Sequence, residues 1–469
     1  MGPLSAPGRR LIAARRSWQN PQAMDHRDLA VDLLRQARAA GADAADVLVG
    51  EGTDFTVTVR KGAVETLKEA GSKALGLRAF VGRRSATSYT SDFSPSALTA
   101  LVAETVAMAR VTGEDPAAGL PDEVVPAEDV DLGLFDASPA ALPTAERIER
   151  ARRAEAAALE ASPEITNSQG ATYASGEDAV VLASSRGFLG SYRSSSVSLS
   201  VVPVAERDGA MERDYWYTTG RGLADLLSPE EVGREAAART LRRLGARKVA
   251  TREVPIVFDP ETAAGLLGQV FRALSGYSVF RNATFLQGRL GEQVASPLLT
   301  VVDDGRVLRG LGSRPFDGEG LPTRRNVPLE GGVLRFYLCD SYAARKIGAR
   351  PTSSARRSVA GAPTVGAANL SFAAGATPPD EIVAGVDSGL YVTDLIGFGV
   401  DLVSGDYSQG AVGQWIEKGR FVHPVHEVTI AGNLKQMLMD VDAVGTDLVF
   451  RGATAAPTLR VRRMTVSGR

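Results

Sequence analysis

From Val254 to the C-terminus the chain reads as short apolar runs separated by glycines, with one helical stretch near residues 261–275. Short β-type runs punctuated by glycine build sheets and tight turns, so this half is expected to be mainly β. The first half differs. Residues 28–37 carry apolar positions at helical spacing, and the strand-like runs 46–50 and 55–60 follow. Lys61-Gly62 reads as a turn into the run 63–67, and 75–81 is a further strand. Ser94 caps a helix to about Arg110, and residues 144–159 form another with Glu and Arg at i,i+4 spacing. The runs 164–173, 179–184, 190–204 and 212–217 are β-type. Ser228-Pro229-Glu230-Glu231 opens an amphipathic helix to about Arg243. The fold class is therefore α+β: an N-terminal α/β domain with hairpins, then a glycine-rich, mainly β domain.

The 469 residues exceed one ordinary core. The expected division is a disordered tail over 1–24, an N-terminal domain over 25–250 and a C-terminal domain over 251–469. The tail is basic, but its longest apolar run, 11–14, is too short for a secretory signal. A true start at Met24 would also explain it. Loops are expected over 113–142 and 353–379, which are rich in Pro, Ala, Asp and Gly.

Lys plus Arg total 53 and Asp plus Glu 55, a balance that does not point to nucleic acid or a membrane surface. No stretch approaches the roughly 18 uninterrupted apolar residues of a bilayer span. The single cysteine, Cys339, fits a reducing cytosol, and its apolar surroundings make it a small buried hydrophobe rather than a nucleophile.

Catalytic chemistry is hard to find. The only histidines are His26, His423 and His426. A helical zinc motif needs two histidines about a turn apart with a glutamate between them, and no such arrangement exists. His423-Pro424-Val425-His426 lies in a strand-like run, where residues three apart point to opposite faces. There is no G-x-S-x-G elbow and no Walker-type loop. Acid pairs occur at Asp303-Asp304 and Asp317-Gly318-Glu319, where acids beside glycine read as turn residues.

Several long strings in the second half carry more information: GLGSRPFDGEG at 310–320, LCDSYAARK at 338–346 and DLIGFGV at 394–400. SGDYSQGA at 404–411, followed by WIE at 415–417, and EVTIAGNL at 427–434 complete the set. Together, and in this order, they resemble the TldD/TldE family, specifically its TldE (PmbA) branch. The match runs from about residue 27 to 452 and is densest after 254.

In that family the TldD subunit carries an H-E-x-x-x-H helix early in its second domain, and a later cysteine completes its zinc site. The matching helix here reads LLGQVFRA at 266–273. Gly268 and Gln269 stand near the first His and the Glu, and Arg272 or Ala273 near the second His. The C-terminal segment TDLVFRGA at 446–453 has no cysteine. The resemblance therefore implies a zinc-less, non-catalytic subunit, with zinc in a TldD-like partner and unfolded or extended peptide as substrate. It also implies that substrate is enclosed between the two subunits.

No catalytic or metal residue is carried over. Arg314, Asp317 and Glu319 are candidates for an ion-pair network, a subunit contact or a peptide contact. Gly397 and Gly399 suit a closely paired strand, whether buried or adding a peptide strand at an edge. Asp406 and Ser408 sit by a glycine that suits a tight loop facing the cavity. Two other readings stay open: a stand-alone hydrolase using an acid pair or His423/His426, and a homo-oligomeric peptide-binding module.

Overall fold

A computed structural model describes residues 25–126, 128 and 130–468. The expected tail over 1–24 and the question of the start at Met24 lie outside these residues. The N-terminal half is built on one antiparallel sheet of seven strands. Its spatial order is Arg84–Thr90, Ala63–Val81, Ala44–Arg60, Ile165–Ser184, Leu189–Arg207 and Ala210–Arg213. Trp216–Gly220 pairs with Leu189–Arg207 as well.

Three of these strands are longer than the sequence suggests. The runs 46–50 and 55–60 are one strand, as are 63–67 with 75–81 and 164–173 with 179–184. Their middle stretches are largely polar and half-buried or exposed, so apolar alternation lapses while the ladder continues. Glu51 stays paired with both Lys73 and Ala179, and Gly52 with Ser72 and Asp178. The turn at Lys61-Gly62 forms as expected, with φ of 51° and 74°. Buried Glu155 accepts both turn N–H groups at 2.8 Å.

Period-two alternation divides the sheet's two faces. Val47 and Val49 of Ala44–Arg60 face a core formed with the helices His26–Ala39 and Pro95–Val111. Phe55, Val57 and Val59, on the same face, pack under Thr144–Leu159 and Pro229–Leu241. Ser228 and Glu231 form a reciprocal capping box at the start of the last helix. The even-numbered positions, Asp46, Leu48 and Gly50, turn to the other face, against the C-terminal half. There Leu48 and Leu182 cluster with Phe188 and Phe316.

In the C-terminal half five strands close into a barrel. Arg252–Phe258, Ser388–Ile396, Asp406–Glu417, Arg420–Asn433 and Leu459–Ser467 pair in a ring, closed by Thr429↔Ser467 through Ala431↔Thr465. A five-stranded sheet packs beside it. One of its strands, Asn369–Phe372, corrects the loop expected over 353–379, and Ala355–Arg356 pairs with Thr364–Val365 in the same segment. Two polar residues disguise the strand. Buried Asn369 accepts from Gly312 N at 2.9 Å and donates to Asp304 O, and that satisfaction lets it sit in a core.

Candidate functional site

The helix Pro260–Ala273 is the element on which the family resemblance turns. Asp259 caps it, accepting the N–H of Thr262 at 2.8 Å, and Pro260 opens its first turn. Leu266, Leu267, Val270 and Ala273 face the barrel core. Gly265, Gly268, Gln269 and Arg272 lie on the less buried side, and Arg272 donates to the Gln269 side-chain oxygen at 3.0 Å. A Cβ added at Gly265 or Gly268 would meet nothing within 4 Å. Neither glycine is therefore required by packing.

Phe271, Arg272 and Ser275 form one wall of an open groove of about 490 Å³, and Val400–Val403 form another. Asp401 is its one carboxylate, and it serves as a turn residue accepting from Val403 N at 2.7 Å. The strand Thr454–Ala455, which follows the segment where the family's cysteine would stand, packs on the same helix. The fold thus brings together the two segments that the resemblance pairs.

Their donor set does not fit zinc. Such a site takes three or four Cys, His, Asp or Glu ligands at about 2.0–2.3 Å. The helix offers an amide and a guanidinium instead. Among the described residues no group of three or more His, Cys, Asp or Glu side chains could hold a metal ion. The histidines are dispersed. His26 contacts Glu51 at 2.9 Å, His423 Nδ1 lies 3.0 Å from Pro424 O, and His426 lies 3.4 Å from Glu212. A register shift in the barrel ladder sets His426 outside the regular pairing, so it meets the N-terminal half rather than His423. Cys339 is buried, and burial beside Asp340 pushes its thiol up to about 12, far from a nucleophile's range.

The candidate residues from the sequence fall in two places. Arg314, Asp317 and Glu319 are buried where the two halves meet. Asp317 accepts the N–H groups of Glu319, Leu321 and Ala355 at 2.9, 3.0 and 3.1 Å. Glu319 accepts from Ser341 N at 2.8 Å. Burial pushes both carboxyls above their ordinary range, and for Glu319 the charge of Asp317 adds to this. Next to them, Asp46 pairs with Arg78 across the N-terminal sheet and with Arg357 of the C-terminal half.

Gly397, Gly399, Asp406 and Ser408 belong to the barrel hairpin that contributes to the groove. The strand expected through residue 400 ends at Ile396. Gly397 adopts a φ of 96°, which breaks the ladder. Gly399 lies so close to Ser408 that a Cβ would sit 1.9 Å from its carbonyl oxygen. Ser408 N donates to Gly399 O at 2.7 Å, and Asp406 accepts from Ser404 Oγ at 2.8 Å. Between the glycines, Phe398 is wholly exposed, flanked by exposed Ile396 and Val403. Sequence reading missed Phe398 as a surface feature, and it missed the Asp46–Arg78–Arg357 triad. A lone Arg78 within the apolar run 75–81 was the available signal.

Family models match in three consecutive blocks. These are PmbA/TldA metallopeptidase domain 1 at 45–109, the central domain at 137–244 and the C-terminal domain at 251–468. The metalloprotease PmbA of Escherichia coli O157:H7 is 38% identical over 94% of this chain and 95% of its own length. A solved chain from Bacteroides thetaiotaomicron, named as a candidate modulator of DNA gyrase, is 30% identical. It superposes with a TM-score of 0.87, covering 94% of this chain and 98% of its own. TldE from Thermococcus kodakarensis shares the fold at a TM-score of 0.81 and 21% identity, over 93% and 99% of the two chains. This chain belongs to the PmbA/TldD metallopeptidase family.

Proposed function

We propose that this chain is the zinc-less subunit of a two-chain metalloprotease, paired with a TldD-type chain that carries the H-E-x-x-x-H helix. The observation that carries this reading is the helix Pro260–Ala273, where Gly268 and Gln269 stand near the first His and the Glu of the zinc motif and Arg272 or Ala273 near the second His. Hydrolysis is then the partner's work, and this chain binds and positions. Beside the groove, Gly265 and Gly268 on the less buried side of the helix have open space where a Cβ would stand, which leaves room for a backbone. An unfolded or extended peptide laid there needs main-chain donors and acceptors more than any particular side chain. The exposed apolar tip at Ile396, Phe398 and Val403 suits contact with the partner or the peptide. The setting is cytoplasmic. Among the described residues no helix is long and apolar enough to cross a membrane.

The test is a peptidase assay on an unfolded protein substrate with this chain alone, a TldD-type chain alone, and the two mixed. Cleavage that requires both chains supports the reading. Full cleavage by this chain alone, insensitive to chelator, overturns it.

A further inference from the structure

A second cavity, of about 250 Å³, opens between the two halves of the molecule, away from the groove on the helix Pro260–Ala273. Its floor is the C-terminal-facing side of the N-terminal sheet, including Leu48, Val180 and Leu182. Tyr192 and Phe316 form an aromatic corner, their rings 5.4 Å apart and edge to face. Gly50 and Gly76 leave room on this face for the segment around Val359 to close one side. The mouth carries exposed Ser358 and Arg356.

The wall is unusual in its charge. Three guanidinium groups line it, those of Arg314, Arg356 and Arg357. Arg314 is 5% exposed, donates Nη2 to Ala355 O at 3.2 Å, and leaves Nε and Nη1 without an acceptor. Arg356 spends its Nε and Nη2 on one carbonyl, that of Ala367, and makes no ion pair among the described residues. Arg357 reaches Asp46, which Arg78 shares, and its Nη2 has no acceptor. The one acid in the wall, Asp317, already accepts three backbone N–H groups. Burial also favours its neutral form. A buried guanidinium with unpaired N–H groups, as at Arg314, is costly, and an anion in the cavity would give it acceptors and give Arg356 a counter-charge.

The lining is otherwise apolar and aromatic, which selects an anion with an apolar body. We propose that this cavity binds the carboxylate of an apolar organic acid, either a free small acid or the C-terminal end of a peptide with an apolar last residue. The carboxylate lies towards Arg314 and Arg356, and the apolar group towards Leu182 and the Tyr192–Phe316 corner.

Isothermal titration of the full chain tests this with four probes: N-acetylleucine, N-acetylleucinamide, inorganic phosphate, and a hexapeptide ending in a free leucine carboxylate. The expected result is binding of N-acetylleucine, with the amide at least tenfold weaker. Arg356→Gln and Arg314→Gln should each weaken the acid at least tenfold. Arg356 is exposed, so its variant serves if Arg314→Gln fails to fold. Tighter binding by the hexapeptide assigns the site to peptide ends, and binding of N-acetylleucine alone assigns it to free acids. The proposal is overturned if acid and amide bind alike, if only phosphate binds, if no carboxylate probe binds at 10 mM, or if the arginine variants leave affinity unchanged.

Discussion

The carboxylate of Asp46, in the N-terminal sheet, lies 2.5 Å from the guanidinium of Arg357, in the C-terminal half, and both side chains are almost wholly buried. Arg78 meets the same carboxylate from the neighbouring strand, with Nε 3.1 Å from Oδ2. Burial alone would push the Asp46 carboxyl up, but Arg357 and then Arg78 hold it below its usual value. A depressed carboxyl stabilises the fold above its ordinary pKa, and that contribution is lost as pH falls through the folded value. Asp46→Ala strands two buried cations and should cost about 3–5 kcal/mol. Urea unfolding at pH 7 measures this, and the variant should lose less stability than wild type on acidification below about pH 4.

Glycines at two places should respond in opposite senses. A Cβ at Gly76 would lie 1.9 Å from the carbonyl oxygen of Val359, so Gly76→Ala must push the two halves apart. The expected cost is about 1–3 kcal/mol or more. Gly268→Ala meets open space on a helix and should stabilise by about 0.5–1 kcal/mol. If substrate backbone passes over that helix, the same variant lowers the activity of the mixed chains while raising Tm.

Asp259, the cap of that helix, is buried, and burial pushes its carboxyl up to about 6 despite the bonds from Thr262 and the charge of Arg239. For an acid raised in the folded state the sign reverses. Its contribution is full below the ordinary value near 4 and is lost as pH rises towards 6. Two pH units correspond to a loss of up to about 3 kcal/mol across that window. Asp259→Asn keeps a capping oxygen and should flatten the stability profile between pH 4 and 6, as read by thermal unfolding.

Phe398 packs on nothing, so Phe398→Ser should change stability by less than about 0.5 kcal/mol. If the exposed tip contacts the partner or the peptide, mixed-chain activity falls roughly tenfold while Tm stays constant.

Much of the fold was legible in the sequence because patterning and turn chemistry agree locally. Ser228-Pro229-Glu230-Glu231 capped a helix as its residues require, and Lys61-Gly62 turned a hairpin. The long strands were not legible as units, since Glu51–Asp54 and its partners carry no apolar signal and are held by ladder bonds alone. Asn369–Phe372 was hidden because its Asn369 side chain is satisfied by Gly312 and Asp304, residues more than fifty positions away. The helix at 266–273 was recognisable from its apolar face, and what it lacks was visible by reading the residues. The arginine-lined cavity was not, because Arg314, Arg356 and Arg357 meet Tyr192 and Leu48 only when the two halves close on each other.

The central claim is that this chain has no zinc site of its own. The most direct measurement is the zinc content of the purified single chain by inductively coupled plasma mass spectrometry, after exchange into zinc-containing and then zinc-free buffer. The expected result is far less than one zinc per chain, unchanged by Cys339→Ser or His426→Ala. One tightly held zinc per chain, lost on substituting one of those residues, would contradict it.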